Sequence, residues 1–196
     1  MVPMHSFALI VLAVPIVFFL LYYVNSIISD KPMDPSSNAL LREINKRCSI
    51  LMEHIQSNGL ARSDPVFRAL FQRFRSGKIV GMPPGGDAAY TLDKGKEIRL
   101  CVPDNPELET ATFVMLHELA HVATPERGHP PIFWKNFSKI LEQAESAGIY
   151  RFQDFSTVSP GSYCGKRITY QPLRNGGQRP QANWNQGRYA LSERFS

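Results

Sequence analysis

The sequence predicts an α+β domain, with helices packed on a small sheet, preceded by an apolar N-terminal helix. Three observations predict it: an apolar run over residues 7–24, helical apolar spacing in four later segments, and a β-hairpin pattern around Gly95. A length of 196 residues suffices for one globular domain with additional segments. A composition of 43% hydrophobic and 20% charged residues excludes a wholly disordered chain and a polytopic membrane protein.

The apolar run is the first element. It has no charged side chain, and an 18-residue helix of about 27 Å would approach the thickness of a hydrocarbon core. We therefore predict a transmembrane anchor within residues 1–29 that contacts a bilayer through residues 7–28. A cleaved signal peptide is the alternative, but the segment lacks a basic start and a small-residue cleavage site.

Lysine and arginine follow the run and do not precede it. The positive-inside rule then predicts a single-pass protein of a viral or host membrane, with its C-terminal domain on the cytosolic side. Cys48, Cys101 and Cys164 form an odd and widely spaced set, which argues against a disulfide scaffold and is typical of a reducing compartment.

A linker over residues 30–36 leads to the main domain, residues 37–173. Ser36 or Ser37 is predicted to cap a helix that runs to about Ser57, and Ser63 to cap a second one. A hairpin follows, made of residues 88–93 and 97–102, and its second strand is a candidate sheet edge for binding an extended substrate. Two more helices are predicted, from about Glu107 to Ala123 and from Pro130 to about Gly148.

The C-terminal residues 174–196 are predicted to be a disordered basic tail, and the net charge of +5 is concentrated from residue 159 onward. Arginines interspersed with aromatic residues are compatible with nucleic-acid binding or an anionic lipid surface. The tail lacks a dense basic run, so a solvated flexible end is favoured over nucleic-acid binding.

The stretch His117-Glu118-Leu119-Ala120-His121 carries the chemistry. Residues four apart share one face of a helix, so both imidazoles can bind a single metal ion. Neutral imidazole suits Zn²⁺, and Glu118 lies where it can take a proton from an attacking water as general base. The alternative is a pair of hydrogen-bonded core histidines, since buried polar groups need partners.

A catalytic zinc needs a third protein ligand and an open position. His129 is our candidate, because it follows a turn that contains Pro125 and Gly128 and can fold back toward the helix end. Three glutamates are alternative third ligands: Glu126, Glu142 and Glu145. The last two are better explained as part of a solvent-exposed helix face.

The histidine motif and the following GHPPIFW resemble the compact zinc metallopeptidases of the WLM and SprT-like groups, with aromatic residues Phe133 and Trp134 four and five positions after the third histidine. The chain also resembles small predicted metallopeptidases of large DNA viruses. The resemblance covers about residues 88–165 and implies a zincin-like fold, with the HExxH helix at the cleft, and peptide-bond hydrolysis. It departs from the pattern in one respect, because the third histidine comes two positions later than in those groups.

Zinc would lower the pKa of its bound water and polarise the scissile carbonyl. A tyrosine hydroxyl is the candidate second donor to the oxyanion, and we select Tyr163, with Tyr150 and Tyr170 as alternatives. Cys164 is interpreted as a small buried residue rather than an inhibitory thiolate.

The sequence thus predicts a membrane-anchored zinc metallopeptidase that acts on a protein or peptide substrate. Its catalytic residues would be Glu118 and Tyr163, and its metal ligands His117, His121 and His129. Two alternatives stay open. One is a non-catalytic membrane-associated assembly protein, as of a virion, with a structural zinc site. The other is an adaptor that binds nucleic acid through its basic tail. The oligomeric state is not predicted.

Overall fold

Helices and a small sheet make up the main body of the chain, so the predicted α+β class is confirmed. The structure is a computed structural model that describes residues 14–23, 32–74, 78–155, 162–168 and 170–173. The chain forms two compact units, Met1–Pro32 and Met33–Ser196. The predicted tail, residues 174–196, lies outside the described residues.

Helix α1 spans residues 14–23 in the first unit, and its apolar side chains are exposed. Across the described ranges, no helix combines the length and apolarity needed to cross a bilayer. The predicted transmembrane helix and the single-pass localisation built on it are therefore wrong. Residues 7–13 and 24–28 of the predicted span lie outside the described residues.

Helix α2, Ala39–Ser57, confirms the first helix predicted for the main domain, and it buries an apolar face that includes Leu41, Ile44 and Leu51. The Asn38 side chain caps it by accepting hydrogen bonds from the backbone N–H groups of Leu40 and Leu41. The predicted serine cap is wrong because Pro35–Ser37 already forms a 3₁₀ turn ahead of the helix.

Two shorter helices follow, α3 (Leu60–Ser63) and α4 (Pro65–Arg73). Asp64 caps α4 by accepting a 2.8 Å hydrogen bond from the N–H of Val66, with Pro65 in the first turn. The second predicted helix is thus present, but Ser63 ends α3 instead of capping α4.

The sheet contains β1 (Ile79–Met82), β2 (Ala89–Leu92) and β3 (Glu97–Cys101) in the order β1-β3-β2. β2 and β3 form the predicted antiparallel hairpin, and β1 pairs with β3 in parallel. The prediction that the second hairpin strand lies at a sheet edge is wrong, because β3 is central. The four-residue β1 is too short and too uniformly apolar to show an alternating pattern.

The outer edge of β1 is covered. Met33 and Gly81 exchange two backbone hydrogen bonds of 2.7 and 3.0 Å. The Asn45 side chain bonds both backbone groups of Ile79, accepting at 3.0 Å and donating at 2.8 Å. Among the described residues no strand pairs with the outer edge of β2, so β2 is the sheet edge that remains open to an added strand.

Helix α5 (Leu108–Ala123) is the central helix of the domain, contacted by α2, α4, the sheet and α6 (Pro131–Ser146). Every residue from Thr110 to Ala120 is buried, as expected of a helix that is apolar on all sides. Both helices confirm the sequence predictions to within a few residues. The packing of α5 places the HExxH motif inside the domain rather than on its surface.

Strands β4 (Ser162–Tyr163) and β5 (Lys166–Arg167) form a small hairpin with Cys164 in its turn. A disulfide joins Cys101, the last residue of β3, to Cys164. The odd, widely spaced cysteine set did not predict this bond, and Cys164 is a disulfide partner as well as a small residue. Cys48 is free and buried in α2. The partners are 63 residues apart, and only the folded chain brings them together.

Candidate metal centre

His117 and His121 lie one turn apart on α5 and point their rings to the same side. Their Nε2 atoms are 3.1 Å apart. His117 is buried and His121 is partly buried, because apolar neighbours on α5 and α6 surround the motif. The helical spacing of four residues therefore brings the Nε2 atoms of the two imidazoles close together, as the motif predicts.

His129 joins them from the loop between α5 and α6. Gly128 adopts a left-handed conformation, with φ 72°, which turns the chain back toward the end of α5. The Nε2 of His129 lies 3.1 Å from that of His121 and 3.0 Å from that of His117. The three histidines are close enough to bind one metal ion.

The rival carboxylate ligands lie elsewhere. Glu142 accepts a hydrogen bond from the Ser138 hydroxyl, and Glu145 accepts one from the backbone N–H of Phe152. Glu126 is exposed in the loop. In the part of the chain that the structure describes, the metal-binding group contains three histidines and no carboxylate.

Burial sets the protonation of the helical histidines. It lowers the pKa of His117 well below its usual value and that of His121 to about 3, and neighbouring histidine charges act in the same direction. Both rings are therefore neutral near pH 7. A neutral imidazole has one nitrogen lone pair, which is what a metal ion requires.

Aromatic side chains of α6 line the histidine rings. The Phe133 ring lies between 4.4 and 4.9 Å from all three imidazoles, measured between ring centroids. Trp134 stacks on His129 at 5.6 Å and donates a 3.1 Å hydrogen bond from Nε1 to the His129 backbone carbonyl. The two aromatic residues of the sequence pattern thus pack directly against the ligand candidates.

Glu118 is a buried carboxyl next to the first histidine, with one identified hydrogen-bond donor. Its Oε2 accepts a 2.9 Å hydrogen bond from the Thr91 hydroxyl of β2. Burial raises the pKa of Glu118 to about 7, with the Asp87 charge raising it further and the Thr91 hydrogen bond opposing the rise. A carboxyl with this pKa can exchange a proton at neutral pH, which suits a general base.

Sequence reasoning missed Thr91. It pairs with Ile98 across the hairpin, and Ile98 is fully buried, so Thr91 lies on the sheet face that turns toward the core. The alternation of the strand could have indicated that face. Nothing in the sequence indicates that a hydroxyl there would meet Glu118.

The three candidate tyrosines are differently placed. Tyr163 is buried, and its hydroxyl donates a 2.6 Å hydrogen bond to the backbone carbonyl of Cys101. Tyr150 is buried beside Phe113 in the core. Tyr170 packs edge-on against Trp134 at 5.2 Å. Because a hydroxyl has a single proton to donate, the Tyr163 proton is already used in the hydrogen bond to Cys101.

Two viral proteins are similar in sequence to this chain. Uncharacterized protein R325 of Acanthamoeba polyphaga mimivirus is 30% identical over 191 residues, which cover 86% of this chain and 96% of that protein. Uncharacterized protein 136R of Invertebrate iridescent virus 6 is 36% identical over 72 residues, which cover 33% of this chain and 40% of that protein. No protein-family profile and no solved structure matches the chain.

Proposed function

The chain belongs to the family of the mimivirus protein R325, and we propose that it is a zinc-dependent metallopeptidase. The observation that carries the proposal is the convergence of three histidine Nε2 atoms, 3.0–3.1 Å apart, beside a buried glutamate. The fold alone does not define an activity, whereas this group of side chains can hold a metal ion and move a proton.

The donor set fits zinc. Zn²⁺ is bound by histidine nitrogens at about 2.0–2.1 Å, which in a tetrahedral arrangement separates the nitrogens by about 3.3–3.4 Å. The observed separations are a few tenths of an ångström shorter. Structural zinc sites take four protein ligands, whereas catalytic sites take three and keep one position for water. The group of three in the described residues favours the catalytic type.

Zinc held by the three histidines would supply a water of lowered pKa and polarise the scissile carbonyl. Glu118 takes the proton as the water oxygen bonds to the carbonyl carbon, and it delivers that proton to the amine nitrogen as the C–N bond breaks. The Thr91 hydrogen bond fixes one carboxylate oxygen, so the carboxylate keeps its orientation through both transfers.

The open edge of β2 supports a polypeptide substrate. The N–H of Cys101 in β3 donates to Ala88 on the β2 side, and that of Ile98 donates to Lys78 on the β1 side. Alternation along the paired strands then directs the backbone groups of Ala89 and Thr91 outward, away from β3. An extended peptide can add to this edge by β-augmentation. Since the Thr91 side chain bonds Glu118, that edge lies beside the proposed general base.

The test is cleavage of a peptide library, with new amino termini identified by mass spectrometry. The full-length protein with bound zinc is compared with E118Q, and E126Q is the matched control because Glu126 is exposed in the nearby loop. We expect E118Q to retain zinc and to lose about 10²–10⁴-fold in rate, the usual contribution of general acid–base catalysis. Chelation should stop cleavage, and added zinc should restore it. Equal cleavage by E118Q and the original protein would contradict the proposal.

A further inference from the structure

The third histidine is held differently from the other two. His117 and His121 belong to α5, whose backbone hydrogen bonds and buried packing fix their positions. His129 lies in the connection between α5 and α6, after the bends at residues 125–128. A ligand on a connecting segment needs contacts outside its own backbone to keep one orientation, because a loop loses more conformational freedom on ordering.

Trp134 supplies two such contacts, and they act on different parts of His129. Its indole N–H donates to the backbone carbonyl of His129 at 3.1 Å, which ties the loop to the first turn of α6. Its ring stacks on the imidazole, with centroids 5.6 Å apart and planes inclined by 30°, which restricts rotation of the side chain. The Phe133 ring contacts the same imidazole at 80° to its plane.

The indole is itself held in place. Tyr170 packs edge-on against it at 5.2 Å, and Phe133 packs against it at 5.2 Å with planes at 84°. Trp134 is partly buried against the core of the domain. Its position is therefore set by α6 and its neighbours, independently of the loop that it contacts.

We propose that Trp134 is the positioning residue that keeps His129 in the ligand set, so that it determines how tightly the site binds a metal ion. This inference rests on the metal site of the proposed function but not on peptide hydrolysis. Residues that orient a metal ligand from outside the coordination sphere typically change metal affinity by about 10–100-fold when they are replaced.

The experiment measures metal affinity in the full-length protein. W134L removes both contacts, W134F retains an aromatic ring but lacks the N–H donor, and F71L is the control because Phe71 is a partly buried aromatic residue on α4. Metal-free proteins are titrated with Zn²⁺ against a chromogenic chelator. Unfolding in urea, recorded on the metal-free proteins, establishes that each variant is folded.

We expect W134L to weaken Zn²⁺ binding by about 10–100-fold and W134F to fall between W134L and the original protein. F71L should bind as tightly as the original protein. Co²⁺ provides a spectroscopic readout: its visible absorption should show a changed coordination in W134L and not in F71L. In a W184F background Trp134 is the single tryptophan, so Co²⁺ binding should quench its fluorescence.

Unchanged Zn²⁺ affinity and an unchanged Co²⁺ spectrum in folded W134L would overturn the inference and leave the proposed function standing. If W134L does not fold, W134F decides in the same way. Absence of Zn²⁺ binding by the original protein would overturn the metal site, and with it both proposals. Normal metal binding without peptide cleavage would contradict the peptidase alone.

Discussion

Two regions of this domain bring reactive side chains together. In one region the groups bond to each other, and in the other they converge on a point that a metal ion can occupy. The histidine cluster consists of His117, His121 and His129 with Glu118, and the cystine corner consists of Cys101, Cys164 and Tyr163. In the cystine corner the groups satisfy one another, through the disulfide and the hydrogen bond from Tyr163 to the Cys101 carbonyl. In the histidine cluster three ring nitrogens face one another at 3.0–3.1 Å.

The difference distinguishes a cluster that can hold a metal ion from one whose groups bond to each other. His117 and His121 are neutral near pH 7, so each ring has one nitrogen lone pair that can bind a metal ion. A shared cation would bind all three nitrogens at once. The cystine corner does not need a bound ion, because the Tyr163 hydroxyl donates to the Cys101 carbonyl and the two sulfur atoms are bonded to each other. Reactive residue types alone do not mark a candidate metal site, whereas ligand atoms that converge on one point do.

The largest effect on stability should come from the disulfide of the cystine corner. Replacing both cysteines in a C101A/C164A variant should lower the free energy of unfolding by about 2–4 kcal/mol, because the bond closes a long loop in the unfolded chain. Urea unfolding measures this loss, with C48A as the control for removing a buried thiol. The folded variant should bind zinc normally, so a large loss of affinity would show that the two regions are coupled.

Glu118 should make the stability of the metal-free protein depend on pH. Burial raises its pKa from 4.5 to about 7, so between these values the folded state holds the proton more tightly than the unfolded state. Glu118 therefore destabilises the fold as pH rises through this window, by up to about 3 kcal/mol at about 1.4 kcal/mol per pKa unit.

Comparison with E118Q isolates this effect. The lowered pKa values of His117 and His121 act in the opposite direction, since they make the fold more stable as pH rises toward 6.5, but both proteins share them. Denaturant unfolding between about pH 4 and pH 8 should show the original protein losing stability relative to E118Q. A constant difference across that range would mean that Glu118 has an ordinary pKa.

Thr91 and Tyr163 each donate one side-chain hydrogen bond, which allows the two regions to be compared bond for bond. T91V removes the donor to Glu118 and should reduce the peptide-cleavage rate about tenfold, because a hydrogen bond to a charged group contributes about 1.5 kcal/mol or more. T91S should restore the rate, since it keeps the hydroxyl. A rate unaffected by T91V would remove Thr91 from the machinery of the site.

The smallest effect should come from Tyr163. Y163F removes the hydrogen bond to the Cys101 carbonyl and should lower the free energy of unfolding by about 1 kcal/mol. Zinc affinity and cleavage rate should stay at the level of the original protein, in contrast to T91V. A Y163F variant with normal stability and slow cleavage would instead support the catalytic role predicted for Tyr163 from the sequence.

The parts of the candidate site that could be predicted are those governed by local spacing. His117 and His121 are four residues apart on a strongly apolar helix, and helical geometry alone places them together. His129 is one of five histidines, and the Gly-containing turn before it made it the best-placed third ligand. The amphipathic helices and the hairpin were likewise predictable, because each carries its own periodic pattern.

The remaining features depend on tertiary packing. Thr91 meets Glu118 only because the hairpin packs on α5, and Cys101 meets Cys164 only because β4 and β5 return to the end of β3. The error at residues 7–24 has a different cause. Hydropathy measures the composition of a segment, and composition alone does not establish a membrane-spanning helix. Within the described residues α1 covers 14–23 alone.

The most direct test of the central claim is the zinc content of the full-length protein. Purified original protein, H129A and the control H54A, which replaces a histidine of α2, are loaded with zinc, dialysed and analysed by atomic spectroscopy. We predict about one zinc per chain in the original protein and in H54A, and a much lower content in H129A. Folded original protein without zinc, or H129A with a full equivalent, would contradict the three-histidine centre.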